Sequence, residues 1–211
     1  MSPPSAELVR GLLAAASTLE AAADELNQLD GYAGDGDMGI TMTEAARAVG
    51  AVVSAAGEGD RAQLLSACGA AVARKAPSTS GTLVATGFLR AAKVTADGPG
   101  GVEGLAQAFA AALEGIKARG KAEVGDRTLV DGLDAVCASL QASSSSGREL
   151  AEALQEAARA AAEAARRTED MVPKVGRASW VPQRASGHPD AGCTMLAIVM
   201  KAAAGALAGS A

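Results

Sequence analysis

Apolar residues recur every three or four positions along nearly the whole chain. The segment 101–118 is typical, because its larger apolar side chains fall on one helical face: Val102, Leu105, Phe109, Leu113 and Ile116. The same spacing predicts eight helices, at about residues 5–28, 40–55, 60–75, 80–95, 101–118, 128–142, 147–167 and 191–208. No convincing apolar–polar alternation predicts a strand, and no dipeptide indicates a hairpin.

The breaks between these helices are short and rich in glycine, proline or serine, and none is long enough to separate two domains. They fall at residues 29–39, 57–59, 76–81, 97–101, 120–127, 143–146 and 172–190. Helices joined by short connections pack as antiparallel neighbours. We therefore expect residues 1–211 to form one all-α domain, a bundle of about eight antiparallel up-and-down helices.

Composition changes this picture in one respect. Hydrophobic residues make up 49% of the 211 residues but aromatic residues only 2%, so the core must be built from Ala, Leu, Val and Met. Small side chains allow helices to approach closely, and alanine is the strongest helix former. The net charge of −5 and the lack of a basic run argue against a nucleic-acid partner.

Three further features concern location. Cys68, Cys137 and Cys193 lie far apart without a C-x-x-C pair, which indicates buried thiols in a reducing compartment. The first ten residues, MSPPSAELVR, lack the basic and apolar regions of a signal peptide. Lys201 interrupts the best candidate for a membrane span. We expect a cytoplasmic protein with no membrane partner.

The densest chemistry lies in the segment LDGYAGDGDMGITM, residues 29–42. Its carboxylates belong to Asp30, Asp35 and Asp37, and glycines separate them at Gly31, Gly34, Gly36 and Gly39. Three carboxylates this close repel one another unless a cation lies among them, and glycines let the backbone bend so that they converge. Hard oxygen ligands suit Mg²⁺, which also binds substrate phosphates. The segment does not match the ligand order of an EF-hand.

An alternative reading of this segment is purely structural. Asp-Gly pairs form ordinary turns, and Asp37 is a plausible cap for the helix that follows. Against this, the helical pattern from Ile40 directs a helix N-terminus at the same place, and its N–H groups and dipole favour an anion. The combination predicts a nucleotide-phosphate site.

Four loops hold most of the unusual polar residues: 29–39, 76–82, 120–128 and 176–192. They follow the first, third, fifth and seventh predicted helices. In an up-and-down bundle alternate loops share one end, so the four loops should form one composite site.

The second and third loops each allow a structural reading as well. Ser78, Thr79 and Ser80 could hold phosphate or simply cap the next helix. In the third loop, GIKARGKA at 115–122 resembles a P-loop, but it ends in Ala122 rather than Ser or Thr and leaves a helix rather than a strand. Two capping boxes are predicted, Thr128 with Asp131 and Ser146 with Glu149.

The fourth loop, GRASWVPQRASGHPDAG, contains the only Trp and the only His of the chain. Arg177 could serve a phosphate, since a guanidinium is built for oxyanions. Asp190 is either a further ligand or the N-cap of the last helix. We assign His188 a structural role, because no nucleophile or zinc spacing accompanies it.

With these motifs in view, the chain resembles the L subunit of dihydroxyacetone kinase, the nucleotide-binding half of that enzyme. The resemblance rests on LDGYAGDGDMG at 29–39, STSG at 78–81, GDRTLVD at 125–131, and GRAS and GHPDAG within 176–192. It implies a barrel of eight antiparallel helices with the nucleotide, ATP or ADP, at one end. It also implies that Asp30, Asp35 and Asp37 hold two Mg²⁺ ions that bridge the nucleotide phosphates.

The resemblance further implies a set of nucleotide contacts: Met38, Gly39, Ile40, Thr41, Thr79, Ser80, Gly120, Leu129, Arg177, Asp190, Ala191 and Gly192. Four departures accompany it. Met38 stands where many members have His or Cys, so only its backbone is expected to contribute. Ala191 replaces a common Pro, Pro77-Ser78 replaces a usual Gly pair, and the customary Tyr within residues 81–87 is missing.

The implied function is that of the ADP- or ATP-binding subunit of a triose or tetrulose kinase. A separate K-type subunit would hold the ketose, so this chain would be active only with that partner. A phosphotransferase-system M subunit and a second copy of this chain are further implied partners. The nucleotide is either exchanged freely or kept as ADP and rephosphorylated.

Three other functions stay open at this point. The acidic loop also occurs in the nucleotide-binding domain of fatty acid kinases, although GRAS and GHPD fit the ketose kinases better. Some relatives act as nucleotide-dependent regulators of a transcription factor without kinase turnover. The third alternative is a helical bundle whose Asp loop binds a structural cation.

Overall fold

The computed structural model describes residues 6–56 and 60–208. In this part of the chain every regular element is helical, and no strand occurs. The α-helices are α1 (Ala6–Ala21), α2 (Ala23–Ala33), α3 (Met38–Ser54), α4 (Arg61–Lys75), α5 (Thr79–Thr95), α6 (Gly101–Gly120), α7 (Leu129–Ser145), α8 (Leu150–Arg167), α9 (Pro182–Ala185) and α10 (Ala191–Ala208). Short 3-10 turns at Thr168–Asp170 and Arg177–Trp180 lie between α8 and α9.

The long helices form a closed ring. Each helix from α3 to α7 packs against the next in the chain, α8 packs against α10, and α1 packs against both α10 and α3. Short connections make these neighbours antiparallel, so the loops alternate between two ends of the ring. The predicted all-α architecture of eight antiparallel helices is confirmed.

The first predicted helix differs from expectation at its C-terminal end. It has a kink at Ala22, where the N–H of Ala22 still donates to the Thr18 carbonyl at 3.1 Å. The continuation, α2, reaches Ala33 and stops where Gly34 adopts an extended conformation. Asp30 therefore lies in the last turn of α2 rather than in a loop, because the helical hydrogen bonds of this segment outlast its apolar pattern.

The other predicted helices agree with the structure to within three residues at each end. The predicted break at 57–59 and the predicted start at residue 5 lie outside the described residues. The Thr128–Asp131 capping box is present at α7. The Ser146–Glu149 box is wrong: the Ser146 hydroxyl donates to the Ala142 carbonyl at 2.8 Å, because the serine run prolongs α7 instead of starting α8.

The interior of the ring is apolar and incompletely filled. A cavity of about 370 Å³ lies among the long helices α1, α3–α8 and α10, lined almost wholly by apolar side chains. Alanines occupy many buried positions, including Ala45, Ala106, Ala157 and Ala204. Small side chains bring neighbouring helices together but do not reach the axis of an eight-membered ring, so space remains there.

One helix requires a correction of the sequence reading. Among the described residues, α10 alone is long and apolar enough to cross a membrane, despite Lys201. In the fold α10 packs against α1, α7 and α8 and buries Cys193, Leu196 and Met200. Helices of protein cores commonly meet the same criterion, so this finding is weak evidence for a membrane span.

Candidate functional site

The acidic segment brings its three carboxylates together at one end of the ring. Asp30, Asp35 and Asp37 each offer an oxygen, and these oxygens all lie within 4.8 Å of one another. Asp30 Oδ2 also accepts hydrogen bonds from the N–H groups of Gly36 at 2.8 Å and of Asp37 at 3.2 Å. Asp30 thus organises the turn that carries the other two carboxylates.

Two glycines make this convergence possible. Gly36 has a φ of +77°, a conformation that costs other residues energy. At Gly34 an added Cβ would lie 2.2 Å from Asp30 Oδ1, so a side chain there would displace the carboxylate. The glycine spacing in the sequence therefore serves the geometry of the cluster, as predicted.

The electrostatics of the cluster are uneven. The hydrogen bond from Arg177 lowers the pKa of Asp35. The pKa of Asp37 is raised, first by its loss of water and then by the negative charges of Asp35 and Asp30. A group that loses stability by being charged beside like charges gains most from a cation. The cluster therefore concentrates negative charge that a bound cation would relieve.

The fourth loop folds onto the acidic segment through three contacts. Arg177 forms an ion pair with Asp35, and Arg184 Nη2 donates to the Gly31 carbonyl at 2.8 Å. The rings of Tyr32 and His188 stack with their centroids 3.5 Å apart. The structural role expected for His188 agrees with this stack, and the predicted neighbourhood of the first and fourth loops is present.

The third and fourth loops also meet. The Lys174 N–H donates to the Asp126 carbonyl at 3.1 Å, and the Cys193 thiol donates to the Thr128 carbonyl at 3.0 Å. A Cβ added at Gly192 would lie 3.2 Å from Leu129 Cβ. Two of the predicted nucleotide contacts, Leu129 and Gly192, are therefore adjacent.

The N-terminal turn of α3 differs from the expected phosphate cradle. The Asn27 side-chain oxygen accepts the N–H groups of Gly39 at 2.7 Å and Ile40 at 3.3 Å, and the Thr41 N–H donates to the Asp37 carbonyl. These donors are already paired, so a phosphate would have to compete with Asn27. Met38 is buried in contact with the core, which agrees with a backbone role alone.

The second loop lies at the same end but is built as a helix start. Ser78 caps α5, because its hydroxyl accepts the Gly81 N–H at 3.1 Å and lies 3.2 Å from the Ser80 hydroxyl. Thr79 and Ser80 are the first residues of α5. Among the described residues no hydrogen bond or ion pair joins this turn to the acidic cluster. Gly120, the last residue of α6, faces Leu83 of α5.

Asp190 caps the last helix, since its Oδ1 accepts the Cys193 N–H at 2.8 Å. The residue is part-buried, but its carboxyl group is enclosed, and this burial raises the pKa of Asp190 to about 6. The hydrogen bond from Cys193 and the positive charge of Arg127 oppose the rise. The N-cap alternative for Asp190 is thus the role that the structure describes, with Ala191 buried behind it.

Sequence reasoning missed several residues of this end of the molecule. Asn27 lay within a predicted helix, and Tyr32 and Arg184 lay within the first and fourth loops without a predicted role of their own. Arg127 was noted only as part of a motif, yet it is 4% exposed. A positive charge in a loop is normally solvated, so only the tertiary structure reveals its burial.

The geometry defines a class of protein: a closed ring of antiparallel helices that carries a cluster of three carboxylates at one end. Comparison with known families then identifies it. The family model described as the DAK2 domain matches residues 32–205, and the chain belongs to this family.

Relatives with curated names agree. The chain is 36% identical over 190 residues to a human protein named triokinase/FMN cyclase, covering 88% of this chain and 32% of the relative. It is 32% identical over 202 residues to the Escherichia coli ADP-binding subunit DhaL of a PEP-dependent dihydroxyacetone kinase, covering 95% of this chain and 96% of that subunit. The chain thus spans about a third of the length of the triokinase/FMN cyclases.

A solved structure has the same fold. The dihydroxyacetone kinase of C. freundii in complex with AMP-PNP and Mg²⁺ superposes with a TM-score of 0.76 and 30% identity, covering 97% of this chain and 35% of that one. The match to nearly the whole chain confirms the resemblance and the helical fold expected from the sequence.

Proposed function

We propose that this chain is the ADP- or ATP-binding subunit of a dihydroxyacetone-type kinase, which transfers a phosphoryl group from a Mg²⁺-bound nucleotide to a triose or tetrulose. A separate K-type subunit holds the ketose. The observation that carries the proposal is the convergence of Asp30, Asp35 and Asp37 within 4.8 Å beside the guanidinium of Arg177. The match to the E. coli relative named as an ADP-binding subunit covers 95% of this chain and 96% of that subunit, which supports the proposal.

The donor set fits Mg²⁺. All three ligands are hard carboxylate oxygens, and they lie on an exposed rim where a metal keeps waters and binds phosphate oxygens. Bound there, Mg²⁺ neutralises phosphate charge and aligns the transferred group. We propose two ions, since three carboxylates and a polyphosphate offer more oxygens than one octahedral ion takes.

Arg177 has a defined part in this proposal. Its guanidinium pairs with Asp35, and the long loop that carries it covers the acidic segment. If a cation bound the Asp35 oxygens, the Arg177 guanidinium would be free to donate to a phosphate. The planar guanidinium donates hydrogen bonds in fixed directions, which a metal ion does not. The α3 turn from Met38 to Thr41 and the Asp190–Gly192 turn flank the same end.

The remaining proposed contacts extend from this centre. Thr79 and Ser80 at the start of α5 are proposed to bind phosphate. Gly120 and Leu129 are proposed to line the adenine end, supported by the contact of Leu129 with Gly192.

The partner is proposed to dock over the same end. Ile40 is 62% exposed and Trp180 is 80% exposed. They follow Asp37 and Arg177, respectively, by three residues, so large apolar side chains flank the charged site. Exposed aromatic residues beside a polar site are typical of protein interfaces.

We further propose that residues 1–211 act as one nucleotide-binding domain in the cytoplasm. The unpaired state of Cys68, Cys137 and Cys193 supports a reducing compartment. A phosphotransferase-system M subunit and a second copy of the chain are proposed as additional partners. If ADP that co-purifies with the chain does not exchange with free nucleotide, this supports rephosphorylation by an M subunit. Analytical ultracentrifugation decides whether the chain is a monomer or a dimer.

The experiment measures binding and turnover separately. Titration calorimetry with ADP should give binding that requires Mg²⁺. The chain alone should phosphorylate neither dihydroxyacetone nor erythrulose, whereas addition of a K-type subunit should give turnover. Asp35→Asn or Asp37→Asn should remove Mg²⁺-dependent ADP binding, because a neutral amide is a weak ligand for a hard cation.

Helicity by circular dichroism is the control, and neither variant should lower it, because both side chains lie on the rim. Asp97→Asn, in the loop between α5 and α6 at the opposite end of the ring, is the matched control and should bind ADP as the wild type does. Mg²⁺-independent ADP binding, or full ketose kinase activity from the single chain, contradicts the proposal. ADP binding without turnover in the presence of the partner favours a regulatory protein instead.

A further inference from the structure

Arg127 is a buried cation in an uncommon backbone conformation. It is 4% exposed and has a φ of +62°, a value that residues other than glycine adopt rarely and at a cost. It lies just before α7, outside the predicted set of nucleotide contacts. A strained and buried arginine persists only when its side chain makes interactions that compensate.

Its guanidinium donates to three backbone carbonyls. Nε donates to Thr168 O at 2.8 Å, and Nη2 donates to Ala185 O at 2.7 Å and to His188 O at 2.6 Å. Within the described residues no carboxylate lies within ion-pair distance of Arg127. The hydrogen bonds of the guanidinium therefore hold the backbone, and its charge acts on the enclosed Asp190 carboxyl group only from beyond ion-pair distance.

These carbonyls stand at the two ends of one long segment. Thr168 follows α8, and Ala185 and His188 precede α10. The segment 169–184 therefore begins and ends beside the Arg127 guanidinium. Two further hydrogen bonds join the ends of the segment at this point, which we call the neck. The Gly187 N–H donates to the Glu169 carbonyl at 3.2 Å, and the Asp190 N–H donates to the Thr168 hydroxyl at 2.8 Å.

The closed segment carries the side chains that reach the acidic cluster. Arg177 and Arg184 both lie within it and contact Asp35 and the Gly31 carbonyl. Outside the neck, the segment is also held by the Lys174 N–H, which donates to the Asp126 carbonyl at 3.1 Å, and by Val175, which packs against the core. Releasing the neck would give these side chains many more arrangements, which opposes their meeting the cluster.

We propose that Arg127 is a positioning residue for the nucleotide site, acting through Arg177. This inference rests on the proposed function, because it assigns a role in nucleotide affinity to a residue that is buried away from the rim. Arg127 clamps the two ends of the 169–184 segment and thereby holds the Arg177 guanidinium over the carboxylates.

A lysine would not replace this clamp fully. An ammonium is a single point donor, whereas the planar guanidinium directs N–H groups at separate carbonyls from fixed positions. Arg127→Lys should therefore keep the charge and restore only part of the function that Arg127→Met removes.

Arg61 offers a matched control at the opposite end of the ring. It donates to the carbonyls of Pro99 and Gly98, both at 3.2 Å, in the loop between α5 and α6. Arg61→Met thus removes a comparable arginine-to-backbone clamp from a loop that is remote from the acidic cluster.

The experiment is a double-mutant cycle on Mg²⁺-dependent ADP affinity with Arg177→Ala. In the wild type, Arg177→Ala should weaken binding at least about tenfold, as expected for hydrogen bonds to a charged group. Arg127→Met should weaken it by a similar factor. In the Arg127→Met background, Arg177→Ala should then change affinity less than about threefold, because the guanidinium is no longer held in place.

A second readout uses Trp180, the only tryptophan of the chain, which lies within the clamped segment. Its fluorescence anisotropy should fall in Arg127→Met, recover partly in Arg127→Lys, and stay unchanged in Arg61→Met. If Arg127→Met does not fold, the same cycle and anisotropy are measured in Arg127→Lys, for which a smaller coupling of the same sign is expected.

Additive effects of the two substitutions overturn the proposal, as does unchanged ADP affinity in folded Arg127→Met. An equal loss of affinity in Arg61→Met also overturns it, because the effect would then be one of general stability. If the wild type itself does not bind MgADP, the proposed function fails, and Trp180 anisotropy in Arg127→Met against Arg61→Met still decides whether Arg127 clamps the segment.

Discussion

At the residue scale, the site is a balance of one guanidinium against three carboxylates. Arg177 and Asp35 are each about half exposed, at 49% and 48% of their side chains. Ion pairs with this exposure contribute no more than about 1 kcal/mol to folding. The pair therefore contributes little to folding, and replacing it by contacts to a charged ligand would cost the fold little.

Asp190 gives the residue scale its clearest pH dependence. Burial raises its pKa to about 6 from an ordinary 3.8, so the folded state binds this proton more tightly than the unfolded state. The resulting stabilisation is complete below the unfolded pKa and is lost as the pH rises through about 6. Asp190→Asn cannot titrate but keeps a good N-cap residue.

We expect the wild type to gain on the order of 2 kcal/mol of unfolding free energy over Asp190→Asn as the pH falls from about 7 to about 4. Urea unfolding at several pH values measures the difference. Because both proteins share every other titrating group, the comparison isolates Asp190. Parallel pH profiles for the two proteins would refute the raised pKa.

At the element scale, side-chain caps distinguish helix starts that look alike in the sequence. The Thr128 hydroxyl accepts the Val130 N–H at 3.2 Å, and Asp131 Oδ2 accepts the Thr128 N–H at 2.8 Å. Asp131 Oδ1 also accepts the Gly125 N–H at 2.6 Å, which ties the preceding loop to α7. By contrast, the Ser146 hydroxyl donates to the Ala142 carbonyl of α7, the helix that ends at this point.

This contrast predicts unequal effects of two similar substitutions. Thr128→Ala should lower the unfolding free energy by about 1–2 kcal/mol, because it removes an N-cap acceptor at a part-buried helix start. Ser146→Ala should change it by less than about 0.5 kcal/mol, since its hydroxyl only rebonds its own helix. Chemical denaturation measures both changes. Equal losses would indicate that Ser146 caps α8 after all, contrary to the structure.

At the scale of the whole molecule, the ring closes without filling its axis. Leu140 is fully buried within the cluster of α6, α7, α8 and α10. Leu133, two turns earlier on α7, is also buried but lines the central cavity. A side chain that faces a void lacks partner atoms on that side, so it contributes fewer dispersion contacts.

Truncation should therefore cost more at Leu140 than at Leu133. We expect Leu140→Ala to lower the unfolding free energy by about 3–5 kcal/mol and Leu133→Ala by about 2 kcal/mol. Both residues lie on α7, so differences in helix propensity cancel. Urea unfolding decides the matter, and an equal or larger loss at Leu133 would mean that the cavity is filled by repacking.

The sequence predicted the helices well because each one carries its own apolar periodicity and most of the breaks between them contain glycine, proline or serine. It predicted the acidic cluster because Asp30, Asp35 and Asp37 lie within eight residues of one another. The end of the first helix was mistaken, since the hydrogen bonds of α2 continue beyond its apolar pattern to Ala33. The pairing of the α3 N–H groups with Asn27 was missed, because that contact spans twelve residues.

By itself, the sequence determined what depends on local interactions: the helical class, the order of antiparallel helices and the composition of the acidic turn. Because alternate loops of an up-and-down bundle lie at the same end, the sequence also predicted that the four polar loops share one end. The tertiary structure alone decided which side chains meet there. It placed Arg177 on Asp35, stacked His188 on Tyr32 and buried Arg127 against three carbonyls. These contacts join residues far apart in the chain, so their energies arise only after the ring has closed and brought the loops together.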